Sequence, residues 1–345
     1  MLLFADDFGG YGTNTALMLN GLYADISSGA LTEDPDPNIT GIVYAADVNP
    51  INATRLRRVL PNAVTTAGFA FRLWISALPQ GNANSIAFGF SNNANALQIA
   101  WRVSSTGRII FSNSGGDIAA SVSPALVANA WNHVEVKCVA STSAGTIEIR
   151  VNGVPVPLDV SSGLNTGTQY SQFRMDNPNS TTGPRFYIKT LVAWDSSGTS
   201  NNDFFGTVDV IGRTTNVDVA LNWTPSTGTA GWSLLDNSPP QDGTDYLSAG
   251  DPPPAASLFG LTPLPEDVTS VRAMVLQLRG AKVDGGDGNL QGGMKSGAST
   301  ALGANRPITT AFTYYEDVFA IDPATSAPWT PAAADAVQIQ INRTV

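Results

Sequence analysis

The chain has 345 residues, of which 43% are hydrophobic and only 13% are charged. This length allows two or three domains, and the apolar share is large enough for a buried core. A formal net charge of −10 disfavours nucleic acid as a partner, because an acidic surface repels a phosphate backbone. A monomeric enzyme usually carries more charge than this. The low charge therefore favours a protein whose surface is partly buried by neighbouring molecules.

The single cysteine, Cys138, excludes an intrachain disulfide, and its alternating apolar surroundings predict a small buried side chain. The first five residues are followed at once by Asp6 and Asp7, so no signal peptide is expected. The sequence contains no apolar run of about 18 residues, so no membrane insertion is expected. These features predict synthesis in a reducing cytoplasm.

Strand patterns dominate the first part of the chain, and the one helical pattern there covers residues 14–22. Asn152 and Gly153 predict a tight hairpin, because both residue types tolerate a positive φ. Many short strands without intervening helices predict a sandwich in which each sheet has one buried and one solvated face. The predicted strands are residues 69–76, 85–90, 97–103, 108–111, 133–140, 146–151, 154–158, 186–194 and 207–211.

Turn residues and prolines change the character of the chain after residue 212. We therefore predict a turn-rich connector over residues 213–255, between a first domain of residues 1–212 and a smaller β domain of residues 256–345. A short helix is predicted at residues 331–337. The predicted strands of the second domain are residues 271–283, 290–296, 308–319 and 336–343.

A motif in the first domain carries a family resemblance. Residues 131–136 (WNHVEV), followed by residues 147–154 (IEIRVNGV), resemble the LamG/pentraxin branch of the concanavalin-like fold. The resemblance covers residues 1–212 and implies an all-β fold, a concanavalin-like jelly-roll sandwich of lectin type. In such a sandwich Trp131 would close the edge, while Val134, Val136 and Cys138 would alternate into the core.

A second resemblance concerns the source of the chain. Residues 319–330 (FAIDPATSAPWT) resemble a closing segment of tailed-phage virion proteins, and residues 203–208, 222–226 and 242–246 are similar to the middle of the same proteins. The resemblance implies a virion component that is made in the host cytoplasm and packs against other virion proteins and copies of itself. Tail and head-surface locations both stay open.

Some concanavalin-like proteins are glucanases, and catalysis by such enzymes needs two carboxyl groups at a fixed separation. No such pattern joins the glutamates, which are Glu33, Glu135, Glu148, Glu266 and Glu316. Glu135 and Glu148 each alternate with apolar residues, so both are expected to face solvent. The sequence has no Gly-x-Ser-x-Gly motif, so it offers no serine nucleophile that the single histidine, His133, could activate. One histidine and one cysteine are also too few ligands for a zinc site. We predict no catalytic residue.

Calcium is the one cofactor that the sequence leaves open. Residues 284–289 (DGGDGN) have suitable ligand types but lack the spacing and closing glutamate of an EF-hand, so a glycine-rich hairpin tip is favoured. Weaker acidic candidates are Asp6 with Asp7, and Asp195 with Asp203. We assign no metal ligand.

The tryptophans offer a sugar-stacking alternative, although core or interface packing is favoured for each of them. Trp74, Trp101 and Trp194 lie in alternating segments, and Trp223, Trp232 and Trp329 lie near turns. The sequence thus predicts a non-enzymatic structural component of a virion. A carbohydrate-binding adhesin for a host surface glycan and a glycan depolymerase are its two alternatives, since one fold serves all three.

Overall fold

A computed structural model describes residues 1–11, 22–26, 31–33, 44–48, 55–79, 87–176, 184–237, 239–283 and 285–344. Within these ranges the chain is nearly all β, and it forms two compact units, Met1–Val210 and Ile211–Val345. The predicted helix at residues 14–22 falls almost wholly outside the described residues. No helix in the described ranges is long and apolar enough to cross a membrane.

The first unit is built from short strands, as the alternation predicts. Its strands are β1 (Leu2–Asp6), β2 (Tyr23–Ile26), β3 (Leu31–Glu33), β4 (Tyr44–Val48), β5 (Arg55–Val64), β6 (Thr66–Ile75), β7 (Ala87–Ser91), β8 (Leu97–Val103), β9 (Ile109–Asn113), β10 (Gly116–Ala120), β11 (Trp131–Val139), β12 (Gly145–Val151), β13 (Val154–Pro155), β14 (Ser162–Leu164), β15 (Tyr170–Asp176) and β16 (Phe186–Asp195). A 3-10 turn covers Gly9–Tyr11.

These strands form two antiparallel sheets. Over the described ranges, nine strands make one sheet with the order β13-β12-β11-β6-β16-β4-β3, to which β1 adds beside β16 and β14 beside β12. Seven strands make the other, with the order β10-β9-β8-β7-β15-β5-β2. The unit is the concanavalin-like jelly-roll sandwich that the sequence predicts.

Aromatic side chains of β6 join the two sheets. The ring centroid of Phe71 lies 4.9 Å from that of Phe88 and 6.0 Å from that of Trp101, and Phe69 lies 5.0 Å from Phe90. All five side chains are buried. Close aromatic packing of this kind adds stability beyond the apolar area that it removes from water.

Strand β11 alternates as predicted, since Val134, Val136 and Cys138 are all buried. The hairpin that follows β12 is confirmed as well: Asn152 and Gly153 have φ angles of 52° and 78°. Both angles lie in the left-handed region that Asn and Gly adopt at low cost.

Two predictions for the first unit are corrected. The strand predicted at residues 154–158 is reduced to the two residues of β13, and Val156 continues with one further hydrogen bond from its amide to the carbonyl of Ile149. No strand forms at residues 207–211. The alternating residues there belong to an irregular segment that lies on the nine-stranded sheet, as described below.

The second unit contains β17 (Thr215–Ala220), β18 (Thr224–Pro225), β19 (Leu247–Ser248), β20 (Ser257–Leu261), β21 (Met274–Gly280), β22 (Asn289–Ser296), β23 (Ser299–Leu302), β24 (Arg306–Pro307), β25 (Thr313–Phe319), α1 (Pro331–Ala336) and β26 (Gln338–Thr344). A 3-10 turn covers Trp232–Leu234. Its largest described sheet has the order β17-β20-β26-β22-β23, with β24 beside β22.

Residues 213–255 differ from the predicted connector, because β17 pairs with β20 at one edge of this sheet. The predicted helix is confirmed as α1. It begins after Thr330, whose hydroxyl accepts a hydrogen bond from the amide of Ala333 at 3.1 Å, and Pro331 occupies its first turn. The predicted strand at residues 271–283 is shortened to β21, whose seven residues pair one for one with β25.

Candidate functional site

The outer face of the nine-stranded sheet, which is the face opposite the sandwich core, carries the most distinctive arrangement of side chains. Strand β6 lies between β11 and β16. Their register places Trp74 of β6 opposite both Trp131 of β11 and Tyr187 of β16. Side chains that are directly opposite on one face of a sheet lie in contact range. We call Trp131, Trp74 and Tyr187 the aromatic row.

The aromatic row is partly open to solvent. Trp74 and Trp131 are half-buried and meet edge to face at a centroid distance of 6.3 Å, whereas Tyr187 is buried. The ammonium of Lys189 lies 4.3 Å from the ring centroid of Trp131, and the guanidinium of Arg185 lies 5.3 Å from that of Tyr187. Cations attract the electron-rich faces of such rings, so these contacts hold the aromatic row in place.

A second row lies two residues further along the same strands. Arg72 of β6 stands opposite His133 of β11 and Lys189 of β16, and we call these three residues the polar row. A nitrogen of Arg72 lies 2.5 Å from a carboxylate oxygen of Asp209, and the hydroxyl of Thr190 lies 3.5 Å from the other. The outer face therefore places apolar ring surface beside hydrogen-bond donors.

The far end of this face is covered by residues 203–209, which we call the cover segment. The ring of Phe205 lies 5.2 Å from that of Trp194, and Phe204 stacks under the guanidinium of Arg150 at 4.1 Å. Trp194 lies directly over Gly68, where a Cβ atom would approach the indole to 2.2 Å. The cover segment and the glycine together bury Trp194 on the outer face.

Glu135 lies beneath the cover segment, contrary to the prediction that it faces solvent. Its carboxylate accepts hydrogen bonds from the amides of Phe205 at 2.8 Å and Gly206 at 3.1 Å. Burial raises the pKa of Glu135, and these two hydrogen bonds with the charge of Arg150 oppose that rise only in part. Glu148 is exposed, as predicted.

The pKa of His133, a residue of the polar row, is far below its ordinary value. Burial, with a contribution from the charge of Arg72, lowers the pKa of His133 to about 4, while Gly206 and Asp209 act in the opposite direction. Neither ring nitrogen makes a hydrogen bond of ordinary geometry with the described residues. The imidazole is therefore held neutral inside the fold at physiological pH.

This depressed pKa predicts a pH dependence of stability. Because the unfolded chain has a histidine of ordinary pKa, it binds the proton first as the pH falls, and the stability contributed by neutral His133 is lost between about pH 6.5 and about pH 4. His133 is the chain's one histidine. We expect the free energy of unfolding, measured by urea denaturation, to fall from pH 7 to pH 5 less in His133→Phe than in the parent.

Glu135→Gln serves as the control for that measurement. The raised pKa of Glu135 has the opposite sign, since a buried carboxyl that prefers its proton loses stability as the pH rises. The control should keep the histidine-dependent fall toward pH 5. An equal pH dependence in the parent and in His133→Phe would show that the histidine is not held neutral.

The acidic candidates do not gather into a metal site. Among the described residues, no group of three or more His, Cys, Asp or Glu side chains is arranged to hold a metal ion. Asp6 accepts hydrogen bonds from Tyr11, Tyr23 and Arg58, and Asp195 binds the amino terminus. Asp284, the first residue of the proposed calcium loop, lies outside the described residues.

The tryptophans divide between core and surface. Trp101 and Trp329 are buried in the cores of their units, as the favoured prediction has it, and Trp194 is buried under the cover segment. Sequence reasoning missed Arg72 and Lys189 as neighbours of Trp74 on the outer face, and Asp209 as the partner of Arg72. The available signal was the spacing of two between Arg72 and Trp74, which puts both side chains on one face of a strand.

Comparison with known proteins gives similarities among solved structures only. No family model matches the chain, and no curated protein matches it. The catalytic domain of a glycoside hydrolase family 131 protein from Coprinopsis cinerea is 13% identical with a TM-score of 0.40, and the match covers 60% of this chain and 100% of that one. The Ca²⁺-bound exoplasmic/lumenal domain of VIP36 is 9% identical with a TM-score of 0.34, covering 53% and 92%.

A Trypanosoma rangeli sialidase in complex with the inhibitor DANA is 14% identical with a TM-score of 0.33, and the match covers 50% of this chain. The chain spans 29% of that sialidase and 18% of another sialidase that it matches. Similarities at this identity concern the fold alone, because one fold serves many functions.

Proposed function

We propose that this chain is a non-enzymatic structural component of a tailed-phage virion, tail-associated or capsid-decorating, that packs against copies of itself and against other virion proteins. The observation that carries the proposal is an exposed apolar flank of the first unit, formed by Val122, Val154 and Val160, which are 62%, 65% and 45% exposed. We call these three residues the valine flank. Exposed valines on a sheet edge invite association unless a neighbour covers them.

Backbone hydrogen bonds connect the segments that carry these valines. Val154 lies in β13, which ends the nine-stranded sheet. The amide of Val122 donates to the carbonyl of Pro157 at 2.9 Å, and Asp159, next to Val160, donates to Ala120 at 2.9 Å. A surface depression of about 320 Å³ opens beside β13 and is lined by residues that include Pro155, Pro157, Leu158 and Phe204. Such a depression suits a side chain of a neighbouring subunit.

The second unit also has exposed valines on an edge strand. Val217 and Val219 of β17 are 48% and 46% exposed, and β17 lies at the sheet edge. In both units, therefore, an edge strand presents exposed valines, beside Pro155 in β13 and beside Asp218 in β17. These exposed valines support the proposal that neighbouring subunits cover both sheet edges.

The phage origin is supported by the resemblance of residues 203–208, 222–226, 242–246 and 319–330 to tailed-phage virion proteins. The absence of enzymatic activity is supported by the environment of the acidic groups on the outer face. Glu135 is covered and bound to two backbone amides, and Asp209 is paired with Arg72. Incubation of the purified chain with several bacterial polysaccharides should release no oligosaccharide, and cleavage that Glu135→Gln abolishes would favour the depolymerase alternative.

Self-association through the valine flank is tested by sedimentation velocity over a range of concentrations. The parent is expected to form an oligomer, and Val154→Lys with Val160→Lys is expected to shift it to monomer, because association would bury two unpaired charges. The matched control is Asn93→Lys with Ser105→Lys, which adds two lysines at exposed positions away from the valine flank. A monomeric parent, or equal behaviour of all three proteins, would remove the valine flank as an interface.

A further inference from the structure

We propose that the aromatic row and the polar row together form a binding site for a pyranose oligosaccharide. This goes beyond the architectural function, since it assigns a ligand to a face that the valine flank does not include. The site is centred on Trp74 and Trp131, with Arg72 and Lys189 beside them on neighbouring strands.

The chemistry of a pyranose ring fits the two rows. One face of such a ring carries C–H groups and packs on an indole, while its hydroxyl groups project from the rim and accept hydrogen bonds. Trp74 and Trp131 keep part of their surface exposed. Arg72 lies in the next row along β6 and carries donors only, and the buried Lys189 of β16 lies against Trp131.

The site is held in place by its own contacts. The edge-to-face packing of the two indoles, at 6.3 Å and 84°, fixes their mutual orientation. Lys189 braces Trp131 from one side at 4.3 Å, and Asp209 holds Arg72 with a 2.5 Å ion pair. Side chains that are ordered before the ligand arrives lower the entropy cost of binding.

The other tryptophans of the chain serve packing, since three are buried and the half-buried Trp223 and Trp232 pack against the core of the second unit. Trp101 and Trp194 are 1% exposed, and Trp329 donates its indole N–H to the carbonyl of Phe319 inside the second unit. The alternation of ring and donor rows favours a saccharide.

The test begins with an array of oligosaccharides prepared from bacterial surface polysaccharides. The parent is expected to bind at least one of them, and its affinity is then measured by calorimetry. We expect Trp74→Ala and Trp131→Ala each to weaken binding about tenfold or more, and Trp131→Phe to retain part of the affinity because a ring face remains. Circular dichroism and thermal melting of each variant establish that it folds.

Phe204→Ala is the matched control, because it removes a half-buried ring of the cover segment from the same face of the sheet, where that ring packs against Arg150. It should bind the oligosaccharide as the parent does. Absence of binding to any arrayed glycan at about 1 mM, or equal binding by the parent and both folded alanine variants, would overturn the proposal. Capture of a protein but of no saccharide would also overturn it.

The two proposals fail separately. The valine flank variants should keep saccharide binding, and the tryptophan variants should keep the sedimentation behaviour of the parent. If the valine flank variants lose both assembly and saccharide binding, the saccharide site needs a second copy of the chain.

Discussion

Replacing Arg58 with methionine is expected to lower the free energy of unfolding by about 3–5 kcal/mol. Arg58 and Asp6 form an ion pair of 3.0 Å whose side chains are 3% and 1% exposed. The same carboxylate oxygen accepts hydrogen bonds from the hydroxyls of Tyr11 at 2.9 Å and Tyr23 at 2.8 Å. Without the guanidinium, a buried negative charge would be left with neutral donors alone, which is far costlier than losing an exposed pair.

Arg102→Met is the control for this substitution. Arg102 makes a two-point contact with Asp117 at 2.8 and 2.7 Å, but that carboxylate is 52% exposed. Water replaces the lost partner there, so a change of less than about 1 kcal/mol is expected. Urea denaturation of the parent and both variants measures the difference. Similar losses for the two arginines would mean that the Asp6 cluster is far more hydrated than its burial indicates.

Replacing Phe71 with alanine is expected to cost about 3–5 kcal/mol of folding free energy. The Phe71 ring is fully buried and stacks on Phe88 and Trp101 of the facing sheet. Its removal leaves a cavity between the two sheets, because a strand in the middle of a sheet cannot move to fill it.

Phe204→Ala tests whether the loss of folding free energy depends on where in the sandwich the phenylalanine ring lies. It removes the same ring from the outer face, where Phe204 is half-buried beneath Arg150. Solvent already reaches that ring, so its removal leaves no closed cavity, and a clearly smaller loss is expected in the same denaturation experiment. Equal losses for the two phenylalanines would contradict the assignment of the core to the space between the sheets.

Alternation made most strands of the first unit predictable. In β11, Val134, Val136 and Cys138 point inward as the pattern requires, and β8 occupies residues 97–103 as predicted. The same rule failed for Glu135, because period-two alternation separates the two faces of a strand but says nothing about what covers the outer one. The amides of Phe205 and Gly206, some seventy residues along the chain, bury it.

The false strand at residues 207–211 has the same origin. Its alternating valines resemble a ladder strand, but the amides just before it bind the Glu135 carboxylate, and Asp209 binds Arg72. Side-chain partners thus compete with a backbone ladder for this segment. Such partners come from distant strands and are not visible in the local pattern.

The aromatic row illustrates the corresponding limit for the site. Trp74, Trp131 and Tyr187 are widely separated in sequence, and they become neighbours only because β6 lies between β11 and β16. Sequence identified the strands but not this order. Strand order is set by the global packing of the sandwich, and a local alternation cannot encode it.

The central claim, that this chain is shaped to pack against neighbouring subunits of a virion, is tested most directly by an electron cryomicroscopy map of intact particles from the host that produces it. We expect density for the β-sandwich on the particle, with Val122, Val154 and Val160 covered by an adjoining subunit. Absence of the chain from purified particles, or a solvent-facing valine flank in every copy, would contradict it.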